Sequence, residues 1–114
     1  CKFTNMAVAE EFFARTLTAV TGELFTEEDL MMVGERVWTL ERLYNLREGF
    51  TNEDDTLPDR LLSEPVQEGP SEGFVANLSP MLKEYYAFRD WDENGVPRPE
   101  KLQELSLDFA IPTG

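Results

Sequence analysis

Apolar residues recur every three or four positions over much of this chain, and that spacing predicts helices. Met6, Ala9, Phe13, Leu17 and Val20 form one stripe, which predicts a first helix over residues 5–20. Thr21 and Gly22 close it, with Gly22 in the usual position past a helix end. The second pattern is longer. Leu30, Val33, Val37, Leu40, Leu43 and Tyr44 make a broad apolar face. Thr26 is a good N-cap, Asp29 completes a capping-box-like pair, and Glu27, Glu28 and Asp29 put negative charge where the helix dipole favours it. Gly49 stops the run. A helix over 27–48 would be ~33 Å long at 1.5 Å per residue, which makes it the spine of so short a chain.

Beyond the spine the signals shorten. Thr51 begins a new turn with acids behind it, and Pro58 opens a short helical piece through Leu61 and Leu62. Residues 63–73 (SEPVQEGPSEG) carry two prolines and two glycines without periodicity, so an irregular loop is expected, continuing to residue 78. Ser79-Pro80 suits an N-cap followed by proline at the first helical position. Met81, Leu82, Tyr85, Tyr86 and Phe88 extend that helix to about Arg89. Asn94-Gly95 marks a turn, and Pro99 opens a last short helix with Leu102 and Leu105 inward. The chain has 14 leucines and a single isoleucine, a balance that suits helices. The expected fold is all-α: four to five helices around a long central helix at about 26–48, with an irregular loop at 63–78.

Charge narrows the functions. The net charge is −13, from 23 acids and 10 bases. Phosphate binding needs a basic patch, so nucleic acid is excluded, and an anionic membrane surface would repel the chain. No apolar run approaches the ~20 residues of a membrane span, and the polar and acidic residues near the start are unlike a signal peptide. The chain begins with Cys1 rather than Met and reads as a piece of something larger. One cysteine cannot form an internal disulfide. The absence of histidine removes the commonest general base and metal ligand, and with it any Ser-His or Cys-His nucleophile.

Three groupings could carry chemistry. Asp90, Asp92, Asn94 and Gly95 fall at positions 1, 3, 5 and 6 of a calcium loop between two expected helices. Position 12, however, is Lys101 instead of a bidentate carboxylate, and Pro97 and Pro99 intrude, so a helix-connecting turn is the stronger reading. Paired acids such as Glu10/Glu11 and Asp54/Asp55 are sequence neighbours, not carboxylates facing across a cleft. The aromatic residues Phe12, Phe13, Trp38, Tyr44, Tyr85, Tyr86 and Phe88 read as core. Arg36, Arg42 and Arg47 lie on or beside the spine, and their planar forks match Glu41, Glu48, Asp54 or Asp55. They either tie the helix to the turn after it or face a neighbouring domain or a cofactor.

Residues 41–62 (ERLYNLREGFTNEDDTLPDRLL), 81–97 (MLKEYYAFRDWDENGVP) and 100–105 (EKLQEL) together resemble the C-terminal domain of aldehyde ferredoxin oxidoreductases. The order and spacing of these strings fit, and the resemblance covers most of the chain. It implies that residues 1–114 are a single C-terminal helical domain, a fragment of a larger enzyme. In that family tungsten (or molybdenum) is held by two pterin cofactors, and a 4Fe-4S cluster passes electrons from aldehydes to ferredoxin. The resemblance places Cys1 at the fourth cluster cysteine, a metal- and cofactor-binding role. It implies upstream domains of the same chain as partners, a cytoplasmic location, a parent that could be a homodimer, and no activity in the fragment alone. Asp90 stands where the family tends to have glycine; Asp tolerates that backbone region better than most residues. The alternatives are a non-enzymatic helical interaction domain and, further off, a calcium-binding helix-loop-helix at 90–101.

Overall fold

The computed structural model describes residues 2–110. Within them the chain forms six α-helical segments: α1 Lys2–Ala7, α2 Glu10–Thr21, α3 Glu27–Arg47, α4 Asp59–Ser63, α5 Leu78–Phe88 and α6 Pro99–Glu104. Short 3-10 turns occupy Asn52–Asp54 and Asp108–Ala110. Among the described residues the sole β feature is an isolated antiparallel bridge between Trp91 and Pro97. The fold is all-α, as the pattern predicts, with α3 as its longest element. No described helix is long and apolar enough to cross a membrane.

The chain divides into two compact units, residues 1–40 and 41–114. In the first, the expected helix over 5–20 is broken. It stops at Ala7 and restarts at Glu10 through Ala9, whose ψ of 160° is extended. Neither Gly nor Pro marks the break. The restart places Glu10 and Glu11 in the first turn of α2, where the helix dipole favours acids. Gly22 ends α2 with φ 77°, its amide donating to the Thr18 carbonyl at 2.9 Å. The Thr18 hydroxyl then accepts from the Phe25 amide at 2.9 Å, steering the chain into α3. The start of α3 is a capping box: the Thr26 amide donates to Asp29 Oδ2 at 2.8 Å, and the Asp29 amide donates to Thr26 Oγ1 at 3.2 Å.

The second unit is built around Leu43, Leu102, Leu105 and Leu107, which form its buried cluster. Burying each leucine stabilises the fold by roughly 1.5–3 kcal/mol. Gly49, at φ 95°, turns the chain out of α3. Thr51 caps the next turn reciprocally with Asp54. The loop over residues 64–77 closes on itself: the Val66 amide donates to the Phe74 carbonyl and the Gly73 amide to the Val66 carbonyl, at 3.0 and 2.9 Å. The Ala76 amide donates to the Leu61 carbonyl at 3.0 Å, so backbone contacts hold this loop to α4. Helix α5 begins at Leu78, one position before the expected Ser79 cap, and Pro80 falls third in the helix. Proline is tolerated there because first-turn amides have no intrahelical acceptor. After α5, Asp90 takes a left-handed conformation at φ 53°, the geometry for which a glycine would be the default residue.

Candidate functional site

Several elements of the second unit meet at Arg42. Helix α3 carries this side chain inward beside Leu43, and it is 8 % exposed. Its fork grips Asp55 at both oxygens: Nη1 donates to Oδ1 at 2.8 Å and Nη2 to Oδ2 at 2.6 Å. Its Nε donates to the Gly95 carbonyl at 2.9 Å. The Tyr86 hydroxyl donates to Asp55 Oδ2. The Trp91 ring lies 5.4 Å from the guanidinium carbon, within cation-π range. One side chain thus joins α3, the corner after it, α5 and the 91–97 hairpin.

Each partner arrives by local necessity. The Thr51–Asp54 cap tightens the corner that presents Asp55. Asn94-Gly95 reverses the hairpin, with the Asp92 carboxylate accepting from the Asn94 and Val96 amides at 2.9 Å each. Gly95 has φ 71°, and a Cβ there would collide with Arg42 Nη2 and come within 2.9 Å of Tyr86 Cζ. Only glycine lets the carbonyl approach the guanidinium this closely. Burial of Tyr86, reinforced by the Asp55 carboxylate it bonds, pushes its phenol pKa up to about 12. At neutral pH it is a neutral donor to a carboxylate. This arrangement is a clamp that ties the corner after α3 to α5 and the hairpin.

A cavity of about 720 Å³ opens beside the clamp, with Ser79, Leu82, Lys83, Tyr86, Trp91 and Arg98 on its walls. Lys101 is 7 % exposed, and its ammonium pairs with Glu104 at 3.2 Å and Asp90 at 3.6 Å. That settles the calcium-like pattern as a hairpin. The carboxylate at the loop's first position already faces a cation, and the side chain at its twelfth is that cation. Among the described residues no three His, Cys, Asp or Glu side chains are grouped to hold a metal ion.

The expected residues are placed unevenly. Cys1 lies outside the described residues. Of the three arginines, Arg42 makes the tie to the turn after α3 that sequence reasoning proposed. Arg36 is exposed. Arg47 pairs with its exposed neighbour Glu48 at 3.1 Å and lies over the Tyr44 ring. The corner is therefore held by Arg42 and not by Arg47. Tyr86 is buried, but Phe12, Trp38, Tyr44 and Phe88, expected as core, are exposed. Helical spacing records that a face is apolar; it does not record what covers it. Gly95 was legible only as a turn residue, because its carbonyl's role depends on a residue 53 positions away.

The family model described as "Aldehyde ferredoxin oxidoreductase, domains 2 & 3" matches residues 1–107. The chain belongs to the aldehyde ferredoxin oxidoreductase family. It is 44 % identical over 112 residues to the tungsten-containing aldehyde ferredoxin oxidoreductase of Pyrococcus abyssi, covering 97 % of this chain and 18 % of that protein. The enzyme of the same name from Pyrococcus furiosus is 44 % identical over 108 residues, covering 94 % and 18 %. An aliphatic sulfonate oxidoreductase, WOR-like subunit, also from Pyrococcus furiosus, is 33 % identical over 101 residues, covering 81 % and 16 %. The chain thus spans under a fifth of the length of these curated relatives and corresponds to one part of a larger multidomain oxidoreductase. Among solved structures, the active-site complex BamBC of benzoyl coenzyme A reductase, bound to 1,5-dienoyl-CoA, superposes with a TM-score of 0.71 at 22 % identity, over 90 % of this chain and 14 % of that one. At that identity the likeness establishes a shared fold. The alternative of a calcium-binding or free-standing interaction module has no support in these matches.

Proposed function

We propose that residues 1–114 form a single C-terminal helical domain of a tungsten-dependent aldehyde ferredoxin oxidoreductase. The observation that carries this reading is the family match over residues 1–107, together with 44 % identity to enzymes of that name. The parent enzyme oxidises aldehydes to carboxylic acids in the cytoplasm and hands electrons through a 4Fe-4S cluster to ferredoxin. When bound, the tungsten–pterin group supplies the two-electron chemistry, in which an aldehyde and water give an acid, two protons and two electrons.

The donor set of this chain fits a limited share of that task. It has one cysteine and no histidine, and its described residues assemble no cluster of metal ligands. A four-iron cluster takes four thiolates, so this chain offers one, Cys1, and the upstream domains of the same polypeptide the rest. Residues 41–110 contribute a compact unit, with the Arg42–Asp55 clamp fixing the corner after α3. At −13 the domain is a poor docking face for an acidic ferredoxin, so the electron exit lies on another part of the enzyme or on a locally basic patch.

The test uses the intact enzyme with Cys1→Ser. The expected result is loss of the reduced-cluster signal in electron paramagnetic resonance, and of aldehyde-dependent dye reduction, with helical content unchanged. A full cluster signal in the variant would remove Cys1 from the ligand set. Failure of the unaltered enzyme to reduce dye with any aldehyde would overturn the whole reading.

A further inference from the structure

The cavity beside the clamp lies wholly within the second unit. Its volume of about 720 Å³ falls within the roughly 300–1,000 Å³ of small-molecule sites. Tyr86 and Trp91 form part of its wall, with ring centroids 6.1 Å apart and planes inclined by 34°. Leu78 and Leu82 add apolar surface. Four charged side chains share the lining. Lys83 stands on α5, Arg98 immediately precedes α6, and Asp92 and Glu93 come from the hairpin between them.

With 23 acids and 10 bases, this chain offers a cation many partners. Arg15, Arg42, Arg47 and Lys101 each take one. Lys83 and Arg98 take none among the described residues, although two carboxylates share their cavity. Asp92 is committed to its own turn, where one oxygen accepts from the Asn94 and Val96 amides. Trp91 is 4 % exposed, and its buried indole N–H has no acceptor. Buried donors without partners are uncommon in folded chains and call for a reason.

We infer that this cavity binds a small aromatic monocarboxylate, its carboxylate answering Lys83 and Arg98 and its ring lying against Tyr86 and Trp91. The planar fork of arginine matches a carboxylate, and lysine adds a point charge. Aromatic rings gain from tilted contact with one another beyond the area they bury. Glu93, on the same lining, sets the charge of the ligand: it repels a second negative charge and so disfavours phosphates and dicarboxylates.

The probe is 4-benzoylbenzoate, an aromatic carboxylate that attaches to nearby C–H bonds on irradiation. With the intact enzyme it should label residues within 78–98, and excess phenylacetate should suppress that label at least about tenfold, where inorganic phosphate does not. Its neutral amide analogue should label those residues at least about tenfold less, because hydrogen bonds between charged groups are the stronger ones. Lys83→Met combined with Arg98→Met removes two exposed, unpaired side chains, so the helical content should hold while labelling falls at least about tenfold. Label confined to other parts of the enzyme would overturn the inference. So would label within 78–98 that yields equally to phosphate, or that ignores phenylacetate, the amide or the double substitution. Labelling is read without aldehyde turnover, so failure of the redox reading and failure of this inference are told apart.

Discussion

Substituting Asp55 by alanine tests whether the clamp stabilises the second unit. The change leaves the Arg42 guanidinium, 8 % exposed, without its carboxylate, and the Tyr86 hydroxyl without its acceptor. Removing one partner of a buried ion pair costs about 3–5 kcal/mol. The Asp55 side chain is 25 % exposed, so water softens the loss, and about 2–3 kcal/mol is expected. For a domain whose total stability is roughly 5–15 kcal/mol, that is a large share. With a urea slope of about 1–3 kcal/mol per molar, the unfolding midpoint should fall by roughly 0.7–3 M at unchanged slope, followed by far-ultraviolet circular dichroism. Arg47→Ala is the control. Its pair with Glu48 is exposed, and its loss should stay within about 0.5 kcal/mol. Combining Asp55→Ala with Tyr86→Phe should give less than the sum of the single losses, by about 0.5–3 kcal/mol, since both act on one network. If Asp55→Ala cost no more than Arg47→Ala, the clamp would be only a surface ion pair.

Two further outcomes follow from the same geometry. Tyr86 is held protonated in the fold, with a pKa of about 12 against 10.0 when unfolded. Between those values the unfolded chain has lost the proton and the fold has not. Stability is therefore fully present below pH 10 and declines towards pH 12, by about 2–3 kcal/mol in all at ~1.4 kcal/mol per pKa unit. Alkaline unfolding midpoints of Tyr86→Phe should lack that component; an unchanged alkaline slope would contradict it. Gly95→Ala adds a Cβ at positive φ against Arg42 and Tyr86. The left-handed backbone alone costs roughly 1–2 kcal/mol, so a total loss below that, measured by urea unfolding, would mean that the hairpin shifts freely.

The elements were legible wherever local chemistry decides them. The capping box at Thr26, the stops at Gly22 and Gly49 and the proline opening of α6 all rest on residues within four positions of each other. The break at Val8-Ala9 was not legible, because no glycine or proline announces it. The clamp was half legible. Arg42 and Asp55 lie 13 residues apart, and the arginine fork named its class of partner. Tyr86 and Gly95 join only through the folding of α5 and the hairpin. The aromatic residues misled because apolar spacing is blind to whether the covering surface belongs to this stretch of chain. The family, by contrast, was readable from residues 41–62 and 81–105 alone.

Lys101 has a consequence beyond the calcium question. Loops rich in aspartate need positive charge to stay folded, and many borrow it from a dissolved ion. This hairpin carries its own. The ammonium that meets Asp90 and Glu104 is tethered by the chain, so it is present at one equivalent whatever the surrounding medium. The turn that bears Trp91 and Gly95 is therefore independent of free metal concentration and of chelators.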